Sequence, residues 1–233
     1  MSSTEIHDNG LAIVENFRKV EKTVLSAERE SGREPASVTI VAVTKTYTRN
    51  TIAPLLAAGH RVFGENRVQE ARAKWAVLRH QYPSLRLHMI GPLQVNKARI
   101  AVSLFDVIET IDRPQLATTL AQEMQYQKRW LDCLIQVNTG NEPQKAGVRL
   151  IDADTFIQTC LFEWKLPIKG LMCIPPLNDE PALHFALLRE IARRHSLQTL
   201  SMGMSHDFTI AIRLGATHVR IGTAIFGTRN PLY

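Results

Sequence analysis

A lysine directly follows a short β-branched stretch near the amino end of the chain, and its amine could do covalent chemistry. Residues 38–44 read Val-Thr-Ile-Val-Ala-Val-Thr, and Lys45 comes next. The stretch is too short for a typical helix and is apolar on both faces, which predicts a buried parallel strand. At the end of such a strand a partly desolvated lysine can attack a carbonyl as its neutral amine. Lys45 is therefore a candidate Schiff-base lysine, although from this stretch alone a lysine that extends from the strand end into water is the more common case.

Two glycine-containing segments near the other end of the chain could bind an anion. Residues 201–205 read Ser-Met-Gly-Met-Ser, and Ser205 could offer its hydroxyl at the start of a helix. Residues 220–223 read Arg-Ile-Gly-Thr, so the amides of Gly222 and Thr223 and the Thr223 hydroxyl could contribute. Glycine lets the backbone approach an anion closely, and helix starts attract negative charge. Either segment alone is more typical of a simple turn.

The elements that must position these residues alternate along the chain. Eight strands are predicted, at residues 38–44, 61–64, 86–90, 105–109, 131–138, 168–172, 198–202 and 218–221. Amphipathic helices are predicted between them, at 50–58, 68–79, 96–102, 114–128, 152–162, 180–194 and 206–214, and an extra helix at 6–30 should plug or flank the fold. Such alternation implies βαβ units and a parallel sheet. Eight strands predict an α/β fold in which residues 1–233 form a single (β/α)8 TIM barrel domain with an extra N-terminal helix.

In such a barrel the carboxyl ends of the strands carry the active site, and the loops after strands seven and eight commonly hold phosphate. The two glycine segments occupy those two loops, and Lys45 ends strand one. A phosphate site that faces a reactive lysine suits a phosphorylated aldehyde cofactor, and pyridoxal 5′-phosphate (PLP) fits that description.

Five separated motifs resemble the pyridoxal phosphate homeostasis protein family, whose members are also called YggS-like or PROSC proteins. The resemblance extends from about residue 38 to residue 229. It implies an alanine racemase N-terminal-type barrel. The motifs are Val41-Ala-Val-Thr-Lys45, Phe63-Gly-Glu-Asn66 with Gln69-Glu70, His88-Met-Ile-Gly-Pro-Leu-Gln94 with Asn96-Lys97, Ser201-Met-Gly-Met-Ser205 with Asp207, and Val219-Arg-Ile-Gly-Thr-Ala-Ile-Phe-Gly227.

The resemblance implies roles for individual residues. Lys45 would be the Schiff-base lysine, and Asn66 would lie near the cofactor ring. The phosphate would be bound by Ser205, Gly222 and Thr223.

Three other residues receive more varied interpretations. The resemblance implies that Arg220 faces the pyridine nitrogen, where a permanent positive charge disfavours protonation and makes the ring a poorer electron sink. Met172 could line the ring pocket or be an ordinary core methionine. Lys145 lies on the loop after strand five, where it could exchange cofactor or remain solvated; this loop departs from the usual family form at residues 141–144.

A racemase of the related fold takes a second base, a tyrosine, from another domain. We expect no second domain after Tyr233, and the other tyrosines offer no clear replacement, although Tyr47 is close to Lys45 in sequence. The first hypothesis is therefore a PLP-binding protein of vitamin B6 homeostasis with little or no turnover. A single-domain PLP-dependent amino-acid racemase or lyase is the alternative. A third hypothesis, suggested by the basic charge, is an anion- or RNA-binding barrel.

Composition and charge limit the kinds of partner and the cellular location that we expect. No apolar run reaches the roughly 18 residues of a membrane helix, and the start does not resemble a secretory signal, so we expect a cytoplasmic protein. The net charge is +6 and the pI is about 9.4, but the basic residues are dispersed, which argues against nucleic acid. The three cysteines lack metal or disulfide spacing and predict reduced core thiols. We expect a monomer with no metal site, and PLP-dependent apo-enzymes are candidate acceptors of the cofactor.

Overall fold

The computed structural model describes residues 3–227, with side chains from residue 10 onward. The expected chain end at Tyr233 and the limit of the family resemblance at residue 229 lie outside this range. The strands within it are β1 (Thr39–Val43), β2 (Val62–Glu65), β3 (Arg86–Met89), β4 (Val107–Ile111), β5 (Asp132–Asn138), β6 (Val148–Arg149), β7 (Ile168–Met172), β8 (Thr199–Ser201) and β9 (His218–Ile221).

Eight of these strands form a closed parallel barrel. They pair in the order β4-β3-β2-β1-β9-β8-β7-β5, and β4 also pairs with β5, which closes the ring. Every pairing is parallel, so all eight carboxyl ends lie at one mouth. The predicted (β/α)8 TIM barrel is confirmed.

Helices surround the ring. They are α1 (Ser3–Glu30), α2 (Arg49–Ala57), α3 (Val68–Gln81), α4 (Ala98–Leu104), α5 (Pro114–Gln127), α6 (Leu150–Gln158), α7 (Pro181–Arg194), α8 (Phe208–Arg213) and α9 (Thr223–Phe226). Sequence signals explain several starts: Thr48 caps α2 by accepting the Thr51 amide, and α5 and α7 each begin with a proline, whose missing N–H costs nothing in the first turn.

The N-terminal helix flanks the barrel and does not plug it. It packs against α2, α8 and α9. At its end the buried Glu28 carboxylate accepts the backbone amides of Ala36 (3.0 Å) and Val38 (2.7 Å), and so anchors the chain where it enters β1. The buried face of the helix repeats at helical spacing, as Ile13, Phe17, Val20 and Val24.

The observed elements differ from the predicted ones in several places, and the short helix α9 is among the elements that were not predicted. The fourth strand begins at Val107 and not at residue 105, because the Phe105 amide still donates to Ala101 O (2.9 Å) at the end of α4. The short strand β6 was not predicted. It pairs Val148 with Val137, and Gly147 permits this approach, since a Cβ there would lie 2.7 Å from Asn138 N.

The three cysteines are buried and carry free thiols. Burial raises the pKa of Cys160 and of Cys173 to about 12 and raises the pKa of Cys133 further still. These properties fit the expected core thiols. Within residues 3–227, no helix combines the length and apolar character needed to cross a membrane.

We predict that Gly170→Ala in β7 destabilises the barrel by about 3 kcal/mol or more, because the new Cβ would lie 1.8 Å from Thr199 O of the neighbouring strand. Backbone in a paired strand cannot move aside without breaking the ring. Urea denaturation measures the loss, with exposed Lys169→Ala on the same strand as the control. A loss below about 1 kcal/mol for Gly170→Ala would contradict the close contact.

Candidate functional site

The structure brings the predicted site residues to the carboxyl-terminal half of the barrel. Strand pairing places β1 between β2 and β9, with Val43 beside Gly64 and Val41 beside Arg220. The predicted residues lie in or after five strands: Lys45 after β1, Asn66 after β2, Met172 at the end of β7, Ser205 after β8, and Arg220, Gly222 and Thr223 in or after β9.

The turn that carries Lys45 is fixed to the neighbouring strand. The Thr44 amide donates to Gly64 O (2.9 Å), and the Thr44 hydroxyl donates to Glu65 Oε1 (2.7 Å). Lys45 itself is half-buried, so its side chain lies at the boundary between the barrel wall and solvent. The Lys45 side chain can therefore reach solvent while the hydrogen bonds of Thr44 fix the backbone beside it.

Arg220 is an interior residue, and the surface ion pair that a strand-end arginine usually makes is not what the structure shows. Only 4% of its surface is exposed. Its guanidinium donates to Ser201 Oγ (2.7 Å) and to Cys173 O (2.8 Å). The Ser201 hydroxyl in turn donates to Glu109 Oε2 (2.6 Å), and His88 Nδ1 lies 2.6 Å from Glu109 Oε1. Hydrogen bonds therefore connect Arg220 to a fully buried carboxylate.

This buried carboxylate is ionised. Burial alone would raise the pKa of Glu109, but the hydrogen bond and charge of His88, the charge of Arg220 and the Ser201 hydroxyl together lower it to about 2. A negative Glu109 balances the Arg220 guanidinium and holds a permanent positive charge inside the barrel.

His88 also faces a second region of the barrel. Its ring lies 5.8 Å from that of His218, and both line a cavity of about 530 Å³ at the amino-terminal end of the strands. Burial lowers the pKa of His218 to about 4, so this ring is neutral at neutral pH. The Arg220 network thus extends from the β9 side of the mouth toward the opposite end of the barrel.

The two glycine loops contact each other. Gly203 O accepts the Arg220 amide (3.0 Å), and Gly203 has φ +93°, with a Cβ there lying only 2.6 Å from Ala211 Cβ. Glycine is therefore required at that position. Ser205 Oγ accepts the Ala224 amide of α9 (3.3 Å), which leaves the Ser205 hydroxyl proton to donate elsewhere. The start of α9, where Thr223 is exposed, therefore lies beside Ser205.

The residues present fit a phosphorylated aldehyde cofactor. Amides and hydroxyls at the start of α9 suit a phosphate, the lysine amine suits an aldehyde, and Asn66 Oδ1 is a buried acceptor with no hydrogen-bond partner among the described residues. Among the described residues, no group of three His, Cys, Asp or Glu side chains is placed to hold a metal ion.

Other candidate residues have protein partners. Met172 is fully buried and forms a small cluster with Val107 and Leu134, as a core methionine would, so its contact with a cofactor ring stays a prediction. The Tyr47 hydroxyl donates to Gly227 O (3.3 Å), and its ring stacks on Phe226 with centroids 4.6 Å apart.

Lys145, on the loop after β5, bonds to residues near it. Lys145 Nζ lies 2.5 Å from Glu142 Oε2 and donates to Pro175 O (3.4 Å). This ion pair balances the Lys145 charge with a carboxylate of the same loop. A role for Lys145 in cofactor exchange stays a prediction.

Sequence reasoning missed Glu109 and Ser201 as partners of Arg220. Ser201 was part of a recognised motif, but its contact with Glu109 joins residues 92 positions apart. One signal could have indicated Glu109, since it is a single charged residue inside the apolar stretch Val107-Ile-Glu-Thr-Ile111, which forms a fully buried strand.

Comparison with known proteins gives consistent matches. The family model described as the alanine racemase N-terminal domain matches residues 12–230. A relative from Escherichia coli K12, named pyridoxal phosphate homeostasis protein, is 38% identical over 230 residues, covering 94% of this chain and 97% of its own length. A relative of the same name from Pseudomonas aeruginosa is 40% identical over 223 residues, covering 94% of this chain and 96% of its own length.

Solved structures of related proteins match this fold. PipY from Synechococcus elongatus with PLP bound is 35% identical, with a TM-score of 0.75 over 88% of this chain and 100% of that chain. PipY without PLP is 38% identical, with a TM-score of 0.77 over 86% of this chain and 99% of that chain. Alanine racemase from Corynebacterium glutamicum is 19% identical, with a TM-score of 0.67 over 94% of this chain and 62% of its own length, which shows the fold alone.

We predict that Glu109→Gln destabilises the protein by about 3 kcal/mol at pH 7, because the buried Arg220 guanidinium loses the charge that balances it. The folded pKa of Glu109 lies below the ordinary value of 4.5, so its stabilisation is complete above about pH 4.5 and is lost as the pH falls toward about 2. Urea denaturation of both proteins at pH 7 and pH 3.5 should therefore show a smaller difference at the lower pH.

Glu190→Gln is the control, since Glu190 forms an exposed pair with Arg193 and should change stability little. A Glu109→Gln penalty that is the same at both pH values would show that the Glu109 charge is not the cause.

Proposed function

This chain belongs to the pyridoxal phosphate homeostasis protein family, and we propose that it holds PLP as a Schiff base on Lys45 and serves intracellular vitamin B6 homeostasis with little or no turnover. One observation carries the proposal: parallel closure puts the Lys45 turn of β1 beside the Gly222 loop of β9, within the same mouth. The relatives bearing that family name, and the PipY structure with PLP bound, support cofactor binding.

When bound, PLP supplies an aldehyde that condenses with an amine and a ring that can withdraw electrons. The chain offers the Lys45 amine to the aldehyde. The amides of Gly222 and Thr223, the Thr223 hydroxyl and the free hydroxyl proton of Ser205 suit the phosphate. Asn66 would lie near the ring.

Arg220 supports the low-turnover part of the proposal. Its guanidinium is held by Ser201 and Cys173 O, and Glu109 balances its charge, so it remains a fixed cation. Facing the pyridine nitrogen, such a cation disfavours ring protonation and weakens the ring as an electron sink. Tyr47, the tyrosine nearest to Lys45 in sequence, already donates its hydroxyl to Gly227 O. It is therefore poorly suited to act as a second base.

The proposal includes a cytoplasmic monomer that passes PLP to dependent apo-enzymes. Three unpaired, buried cysteine thiols suit a reducing compartment, which supports the location. A protein whose site binds PLP reversibly and turns over little is suited to storing or delivering it.

We predict that the purified protein mixed with PLP shows the visible absorbance band of a Schiff base, and that borohydride fixes the cofactor covalently. Lys45→Ala should lack both, because it lacks the amine that forms the bond. Lys97→Ala, which changes a half-buried lysine after β3, is the matched control and should behave as the wild type. A wild type that stays colourless with added PLP would contradict the proposed function.

We also predict that PLP-loaded protein racemises or cleaves small amino acids no faster than the same concentration of free PLP. The reason is that Arg220 would weaken the electron sink and that Tyr47, among the described residues, is poorly suited to act as a second base. Chiral chromatography and keto-acid assays measure both reactions. Faster turnover that disappears in Lys45→Ala would instead favour the single-domain racemase or lyase.

A further inference from the structure

Side chains from β2 and α3 hold the backbone on both sides of Lys45. Lys74 Nζ donates to Thr44 O (2.6 Å), the carbonyl before Lys45. Glu70 Oε1 accepts the amide of Thr46 (2.5 Å), the residue after it. Glu65 completes the group, and we call Glu65, Glu70 and Lys74 the lysine-turn clamp.

The clamp is largely buried, and its hydrogen bonds converge on Glu65 Oε1 and Glu70 Oε1. Glu65 Oε2 is buried with no hydrogen-bond partner among the described residues. Lys74 is 6% exposed and has three N–H donors, which match its three acceptors: Thr44 O, Glu65 Oε1 (2.8 Å) and Glu70 Oε1 (3.0 Å). Glu65 is fully buried, and its Oε1 also accepts Trp75 Nε1 (2.8 Å). A buried group with this many charge-assisted bonds has one preferred arrangement.

The backbone that the clamp holds is strained. Thr46 has φ +71°, a left-handed conformation that a β-branched residue rarely adopts. Two hydrogen bonds compensate: Glu70 accepts the Thr46 amide, and the Thr46 hydroxyl donates to Lys45 O (2.5 Å). Strain that persists only because surrounding groups impose it is typical of functional sites.

We propose that Glu70, supported by Lys74 and Glu65, is a positioning residue for Lys45. The clamp fixes the turn so that the lysine amine is already oriented for bonding to the cofactor, and it thereby slows cofactor release. This inference rests on the proposed function of Lys45. Glu70 is the member suited to a test, because its side chain is 28% exposed and its loss leaves the buried Lys74–Glu65 pair intact.

The test compares two ligands on two variants. PLP can bond to Lys45, whereas pyridoxine 5′-phosphate carries the same phosphate and ring but an alcohol in place of the aldehyde. We expect Glu70→Ala to weaken PLP binding about tenfold, chiefly through faster release, and to change pyridoxine 5′-phosphate binding less than about twofold. Gln69→Ala, an exposed change on the same helix, is the control and should leave both ligands unchanged.

A conservative variant separates the hydrogen bond from the charge. Glu70→Gln retains an oxygen that can accept the Thr46 amide, so we expect PLP affinity within about threefold of the wild type. This variant also carries the test if Glu70→Ala does not fold: a PLP affinity reduced together with that for pyridoxine 5′-phosphate would overturn the inference.

Two further outcomes contradict the inference. Equal weakening of both ligands by Glu70→Ala would show general damage to the site, and no change for either ligand would show that the clamp does not position Lys45. A wild type that binds both ligands equally, without a Schiff-base band, would overturn the proposed function as well. This outcome is seen in the wild type, whereas the two outcomes above are seen only in Glu70→Ala.

Discussion

Parallel closure of the barrel is the constraint on which the remaining structure depends. Once every strand runs in one direction and β4 pairs with β5, the carboxyl ends of all eight strands form a single mouth. Residues far apart in the chain then become neighbours: β1 pairs with β9, so Lys45 follows a strand that lies beside the one carrying Arg220. The glycine loops and the Lys45 turn therefore lie at the same mouth of the barrel.

Two buried charge groups occupy this framework. Lys74 and Glu65 lie under the Lys45 turn, and Arg220 and Glu109 lie inside the barrel. Burying charged groups is costly, and replacing one partner leaves the other uncompensated. Their benefit here is geometric, because each group of hydrogen bonds fixes one candidate site residue. The first fixes the backbone beside Lys45, and the second fixes the guanidinium of Arg220.

Much of this arrangement could be predicted from the sequence, since apolar strands and amphipathic helices have distinct periodicities and strand ends indicate the mouth. Lys45 and the loops at Gly203 and Gly222 follow directly from that logic. Pairings between distant side chains could not be predicted in this way. Ser201 meets Glu109 across 92 positions, and the φ of +71° at Thr46 depends on a helix that follows another strand. Such contacts arise from tertiary packing, which local patterns do not encode.

We propose that one lysine, at the end of β1, carries the cofactor. The most direct measurement is peptide mapping by mass spectrometry after the protein is loaded with PLP, reduced with borohydride and digested. We predict that the phosphopyridoxyl group is found on the peptide containing Lys45. A group found on Lys145, or spread over several exposed lysines, would contradict the assignment of the site to the β1 end of the mouth.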